Sequence, residues 1–458
     1  MVQTLPELMF TPRSGPDCAM AVRAVFFRKA HPHEVRMNRF RMIAALALTY
    51  VVFAILLNSV GTVILQSMAS FGVGKTEASL LELFKDLTIA VVSFGVASFL
   101  PLIGYRRAMI LALALLGVAC VLMPLWPGFR TTEVLFTCVG ISFALAKVGV
   151  YSSIGLLTAD RAAHGRLTST IEGTFMLGVL VGNWLFSAFI NHADPADLVW
   201  LNVYWLLAAL CVVVIALLAG SRMDESAAHN VHTSTMKGSL IEMLQLFVRP
   251  LVYVFLISAF LYVLIEQSFS TWLPTFNNEI LKLPNAMSIQ LASILPGAIA
   301  LGRLGAGQAL RRMHWYTLLN LCVVGMAAIV LLSLPLARDV APGSVIGWRN
   351  APVAAYLFPL VGLLMAPIYP VINSVVLSSL PKPAHAAMTG LIVIFSALGG
   401  TLGSRITAIV FARSNGIDAF YFSLLPMSLI LAALFFFKRE TDRHGMAAAM
   451  PGIRFAAK

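Results

Sequence analysis

Residues 251–275 read LVYVFLISAFLYVLIEQSFSTWLPT. This is a helix-length run, because roughly 20 mostly apolar residues cross a bilayer's hydrocarbon core. Glu266 and Gln267 lie near mid-depth, and Tyr262 precedes Glu266 by one helical turn. An ionisable group in that solvent is costly unless it is paired or hydrated. The segment therefore calls for further spans around it and for a wet crevice beside Glu266.

Working outward, eleven more stretches of this kind appear. In the first half they are 42–66, 79–102, 107–126, 133–157, 167–191 and 198–220, and after 251–275 come 286–309, 315–336, 352–380, 385–411 and 417–437. The polar stretch 221–250, with Arg222, Asp224, Glu225, His229, His232 and Lys237, separates two sets of six. Composition agrees: of 458 residues, 59% are apolar and 11% charged, with a mean hydropathy of +0.87. A soluble domain carries about a quarter charged residues, and a disordered chain needs low hydrophobicity. Both classes are excluded.

The net charge of +12 does not imply a nucleic-acid partner, because the basic residues sort by side. With the N-terminus inside, the inner segments hold 22 Lys and Arg against six in the outer loops. That asymmetry is the positive-inside rule, and it puts both termini in the cytoplasm of a cell whose inner (plasma) membrane holds the chain. The expected organisation is a cytoplasmic arm (1–41), a six-helix bundle (42–220), a cytoplasmic linker (221–250), a second bundle (251–437) and a cytoplasmic tail (438–458). Residues 1–36 hold no long apolar run and no signal peptide, and Met37 is an alternative start. Cys120, Cys138, Cys211 and Cys322 lie in apolar segments, Cys18 lies in the arm, and no Cys-x-x-Cys pair exists. Neither a disulfide frame nor a zinc site is expected, and no cofactor is implied.

The halves echo each other. Gly104-Tyr105-Arg106-Arg107-Ala108-Met109 follows the second span; Gly302-Arg303-Leu304 and Arg311-Arg312-Met313-His314-Trp315 close the eighth. Short basic inner turns at matching places are the weak repeat of transporters built from two six-helix halves. The expected fold class is thus an all-α integral membrane protein, twelve transmembrane helices in two pseudo-symmetric six-helix bundles.

These paired turns resemble the major facilitator superfamily over about residues 40–440. So do Glu266 with Trp272-Leu273-Pro274, and the stretch Pro367-Ile368-Tyr369-Pro370-Val371-Ile372-Asn373. The chain departs from the family where an Asp usually precedes the Gly-Arg-Arg element: Pro101 stands near that position, and Tyr105 replaces a basic residue. Within the superfamily the chain is vaguely similar to the fucose-permease-type sugar branch. The resemblance implies that spans 1, 4, 7 and 10 line a central cavity. Asn58, Lys147, Tyr151, Glu266, Gln267, Tyr369 and Asn373 all fall on those spans. A fixed cation there suits a carboxylate or phosphate, and amides and phenols suit hydroxyls.

Two gates are expected where spans 2 and 11, and spans 5 and 8, meet in the superfamily: Asp86 with Arg405 near the outer mouth and Glu172 with Arg303 near the inner mouth; the alternative is pairing within one half, such as Asp86 with Lys85 or Lys147. A pair formed in one state alone biases a two-state equilibrium. A carboxylate withdrawn from water holds a proton more readily, which makes Glu266 the first coupling candidate and Glu172 the second. Sodium remains an alternative ion.

Other motifs fail. Gly74-Lys75-Thr76 mimics the end of a phosphate-binding loop, but Ala69 stands where its first Gly belongs. His192 and Asp197 share an acyltransferase spacing with Pro195 between them, and His229 with His232 lack a third ligand. The expected protein is not an enzyme. It is a monomeric, proton-coupled symporter for a small anionic or polyhydroxylated solute, working by alternating access. The competing readings are an exporter of a carboxylate siderophore or drug, a polytopic membrane enzyme, and a receptor.

Overall fold

The computed structural model describes residues 32–158, 161–221, 223, 243–338, 340–341, 347–378 and 385–443. Residues 1–31 of the arm, most of the linker with His229 and His232, and the tail beyond 443 lie outside the described residues. The described residues are helical throughout: α1 Pro32–Asn58, α2 Val60–Phe71, α3 Lys75–Ala78, α4 Leu80–Ile103, α5 Tyr105–Leu125, α6 Phe129–Leu157, α7 Arg161–Ala188, α8 Val203–Ala219, α9 Pro250–Glu279, α10 Asn285–Ala292, α11 Ile294–Ala309, α12 Trp315–Ser333, α13 Val353–Leu357, α14 Val361–Met365, α15 Ile368–Ser378, α16 His385–Arg413, α17 Gly416–Tyr421 and α18 Leu424–Arg443. Eleven helical stretches, three of them joining two or three of these helices end to end, are long and apolar enough to cross a membrane. At the place of the expected second span stands α4, 24 residues long, with Glu82, Lys85 and Asp86 in its first two turns.

Several expected spans are broken rods, and the breaks have local causes. Proline supplies no N–H and clashes with the carbonyl four residues earlier. Pro296 follows the α10/α11 break, Pro426 follows the α17/α18 break, and Pro359 and Pro367 divide the segment from α13 to α15. The break between α1 and α2 holds no proline. There the Asn58 amide donates to the Ala54 carbonyl at 2.9 Å and the Ser59 hydroxyl to Leu56 at 2.9 Å, side-chain bonds that compete with the helix ladder. α1 starts at Pro32, upstream of the expected span.

In the first half, α6 packs on α4 and α5, α1 on α7, and α5 on α8; in the second, α9 packs on α16 and α18, and α11 on α14. Between the halves, α4 meets α16, α2 meets α9, and α7 meets α10 and α11. Glycine permits the closest crossings. A Cβ on Gly61 would stand 2.4 Å from the Thr271 carbonyl oxygen, and one on Gly302 would stand 2.3 Å from that of Leu363. In lipid, where packing must drive helix association, such small-residue contacts are favoured.

Because successive long helices run antiparallel, the ends at 72–79, 189–197, 280–285 and 334–352 share one face. The start of α1, the end of α18 and the helix ends at 103–105, 219–221 and 309–315 share the other, here called the terminal face. Contacts between the halves gather toward the first of these, the far face. Lys75 pairs with Glu279 at 2.9 Å, Asn285 donates to Gln66 at 2.9 Å, and Gln290 donates to Ser187 at 3.2 Å. Trp184 stacks on Trp348 with ring centroids 5.7 Å apart and donates to Ser293 at 3.3 Å. Toward the terminal face, Thr170 and Gly173 on α7 and Leu304, Gly305 and Gly307 on α11 are exposed. The seam is closed at the far face and splayed at the other.

Candidate functional site

A cavity of about 240 Å³ lies where α1, α2, α7, α9 and α11 converge. Its polar lining is Asn58, Thr62, Asn183, Glu266, Gln267, Ser270 and Arg303, drawn from both halves, with apolar walls such as Phe175, Val179 and Ile299. Glu266 accepts the Tyr262 hydroxyl at 3.1 Å, one turn back on its own helix. Tyr262 is buried and its ring stacks on Tyr369 with centroids 5.4 Å apart. Tyr369 in turn shares a hydrogen bond with Ser396 at 3.0 Å. Asn373, one turn after Tyr369, is half-buried, and its carbonyl oxygen has no hydrogen-bond partner among the described residues. Glu266 is therefore held from behind by a tyrosine while its carboxylate borders open space.

Three of the residues expected to bind solute, Asn58, Glu266 and Gln267, border this one cavity, and Arg303 joins them. Lys147 and Tyr151 do not line it and stand in a cluster of first-half side chains. Phe143, Lys147 and Tyr151 follow one another at i, i+4 on α6 and so share a stripe. Phe143 packs on Phe53 of α1 with centroids 5.7 Å apart, and Tyr151 meets Tyr50 edge-on at 6.2 Å. Lys147 itself lies 5.7 Å above the Phe143 ring, on the stripe that faces α1 rather than on the opposite side of the helix. The Tyr151 hydroxyl donates to the Glu172 carboxylate.

Neither ion pair is present in this state, in which the splayed terminal face leaves the inner pair, Glu172 and Arg303, apart. Asp86 pairs with Lys85 at 3.4 Å, the neighbour one residue before it, and lies against Gly400 of α16, where a Cβ would stand 2.7 Å from its carboxylate. Arg405 donates instead to the Thr76 carbonyl and, at 3.0 Å, to the Ser79 hydroxyl. Those two residues lie just before the start of α4, so Arg405 still ties α16 to that helix's far end, through neutral acceptors. At the other pair, Tyr151 takes Glu172, while Arg303 lies 3.8 Å from the Met176 sulfur. In each case a donor on the acid's own half is nearer than the arginine across the seam.

Sequence reading overlooked Glu82. It is fully buried, and one of its oxygens accepts from both Lys85 and Gln267. The other accepts the Thr271 hydroxyl at 2.9 Å. Lys85 also reaches the Leu57 carbonyl at 3.5 Å, beside the α1/α2 break. A buried charge persists only when paired and hydrogen-bonded, and the donors for Glu82 come from α4 itself and, across the seam, from α9. The legible signal was an acid three residues before a lysine inside an apolar run. Thr62, Asn183 and Ser270 gave no signal, because single hydroxyls and amides are ordinary in membrane helices. Among the described residues no group of three or more His, Cys, Asp or Glu side chains could hold a metal ion.

Solved structures of low identity share this fold. The nucleoside transporter NupG is 14% identical, with a TM-score of 0.65, over 90% of this chain and 100% of that one. The E. coli fucose:proton symporter FucP is 15% identical, with a TM-score of 0.57, over 88% and 99%. A D-xylose-proton symporter is 14% identical, with a TM-score of 0.62, over 91% and 98%. No curated protein matches the chain in sequence. The model of the Major Facilitator Superfamily matches residues 46–404, and over that length, with helices from both halves converging on one polar cavity, the chain belongs to the Major Facilitator Superfamily of transporters.

Proposed function

We propose that the protein is a proton-coupled secondary transporter for a small anionic or polyhydroxylated solute, working by alternating access between two six-helix bundles, 42–220 and 251–437. In this reading α4 is the twelfth span. Its three charges sit against α9 and α16 rather than against lipid, which answers the cost of carrying them. The terminal face is cytoplasmic by the excess of Lys and Arg there, and the membrane is the inner (plasma) membrane.

One observation carries the proposal: Glu266, Arg303, Gln267 and Asn58, from two halves of the chain, border a single cavity. A solute bound there touches both halves, so its binding energy differs between states in which the halves are apart and together, as a population shift requires. Arg303 supplies a fixed cation for an anionic group, and the amides supply donors and acceptors for hydroxyls. Glu266 carries the coupling proton, with Glu172 as the second candidate. Arg405 and the Glu82 cluster hold the far face shut. NupG, FucP and the xylose carrier handle a nucleoside, fucose and xylose, which favours hydroxylated solutes; Arg303 favours an anion.

The test is uptake by liposomes containing the purified protein, with nucleosides, sugars and small carboxylates as candidates and a proton gradient as the drive. The expected result is accumulation of a solute that collapses with a protonophore. Glu266→Gln should lose accumulation but keep solute exchange. Accumulation driven by sodium alone would overturn the proton assignment.

A further inference from the structure

A second cavity, of about 350 Å³, opens on the terminal side of the first, and Arg303 lines both. Its construction follows from the crossing of α11 and α14. The two helices touch where Gly302 meets the Leu363 carbonyl and the Ala366 side chain. Beyond that crossing they part. Gly307, which lines the space beyond, meets nothing within 4 Å, so this glycine leaves space rather than bringing helices together. Pro367 and Pro370 line the opposite wall at the start of α15. The resulting groove is lined mainly by Ala306, Leu310, Met313, Val371 and Val375. Apart from Arg303, the lining side chains that can hydrogen-bond are Ser374 and the Trp315 indole.

The two spaces therefore differ in chemistry and share one cation. The first offers amides, hydroxyls and a carboxylate; the second offers hydrocarbon. Burying apolar surface is favourable at about 25 cal/mol per Å². A dry apolar cavity of about 150 Å³ accepts a benzene ring, so the groove has room for a ring or a short chain. A sugar or a small hydroxy acid would leave it unused. A solute with its anionic group at Arg303 and a hydrocarbon arm on the far side of the guanidinium would use both.

Resting on the reading of the Glu266–Arg303 cavity as the solute site, we propose that the cargo is an amphipathic organic anion, a carboxylate or phosphate carrying an apolar arm that lies in the groove between α11 and α15. The groove commits to that arm because it shares Arg303 with the polar cavity. A lipid acyl chain is the rival occupant.

Binding of straight-chain carboxylates from acetate to hexanoate, measured calorimetrically on the whole protein in nanodiscs, with empty nanodiscs subtracted, tests this. Each buried methylene is worth about 0.8 kcal/mol, about four-fold in affinity. The expected result is a rise of two- to four-fold per methylene, lost in Gly307→Phe and in Ser374→Phe, two variants that fill the groove from opposite walls. In both, hexanoate should fall toward the affinity of acetate. Arg303→Gln should weaken every member at least ten-fold, and the matching alcohols should bind no better than that variant binds acids. Affinity independent of chain length, with Arg303→Gln still weakening all members, would overturn the arm and keep the anion site. Chain-length dependence that survives both filling variants would give the groove to lipid and overturn the proposal. Binding indifferent to Arg303→Gln, or no binding of any carboxylate, would overturn the anion site itself.

Discussion

Thr271 donates its hydroxyl to the Glu82 carboxylate at 2.9 Å, across 189 positions of chain. The bond joins α9 to α4, and Gln267, one turn earlier on α9, donates to the same carboxylate. Lys85 completes the shell from within α4. A charged cluster thus sits in the seam between the halves.

Removing one member should be worse than removing the charge altogether. Lys85→Met leaves the buried Glu82 and the half-buried Asp86 with no cation, and breaking a buried ion pair costs about 3–5 kcal/mol. We expect a clear fall in melting temperature for Lys85→Met, and partial recovery in Lys85→Met with Glu82→Gln. Equal melting of the native protein and Lys85→Met would show that the lysine carries no such burden.

The far face closes only because Gly61 has no side chain. With a Cβ 2.4 Å from the Thr271 oxygen, Gly61→Val must push α2 from α9. A cysteine at Asn183, in the cavity wall, should then become open to an impermeant thiol reagent from the far side. The same cysteine in an otherwise native chain should react from the terminal side. An unchanged labelling pattern would mean the seam yields elsewhere.

Arg405 binds neutral acceptors, so its loss leaves no buried carboxylate unpaired. Arg405→Gln should keep the fold, shifting melting by little, while raising far-side access to the same cysteine. A large fall in melting with no gain in access would assign Arg405 to stability instead.

Trp184 and Trp348 stack at 5.7 Å with planes 17° apart. An aromatic pair is worth about 0.5–1.5 kcal/mol beyond its burial. Trp184→Leu should therefore move the balance between states by up to about ten-fold toward far-side access, read by the same labelling. Trp348→Leu should do the same, and the double change should fall short of the sum of the two, because both remove the shared ring contact.

Most of the architecture was legible in the chain itself. Hydrocarbon thickness sets a length, and charge asymmetry sets a direction; both are properties of single segments, so 251–275 or 107–126 could be read without neighbours. Glu266, Gln267 and Asn58 were legible for the same reason, as polar groups in a solvent that penalises them. What each charge binds was not. Asp86 and Arg405 do lie on helices that meet, yet Lys85 takes the first and the Thr76 carbonyl with Ser79 takes the second. Partner choice depends on how each helix is turned about its axis and on which donor lies a few ångströms nearer, and neither quantity is written in one segment. The glycines of α11 make the same point. Gly302 is a contact and Gly307 a void, a difference that arises only when α14 crosses at one height and departs below it.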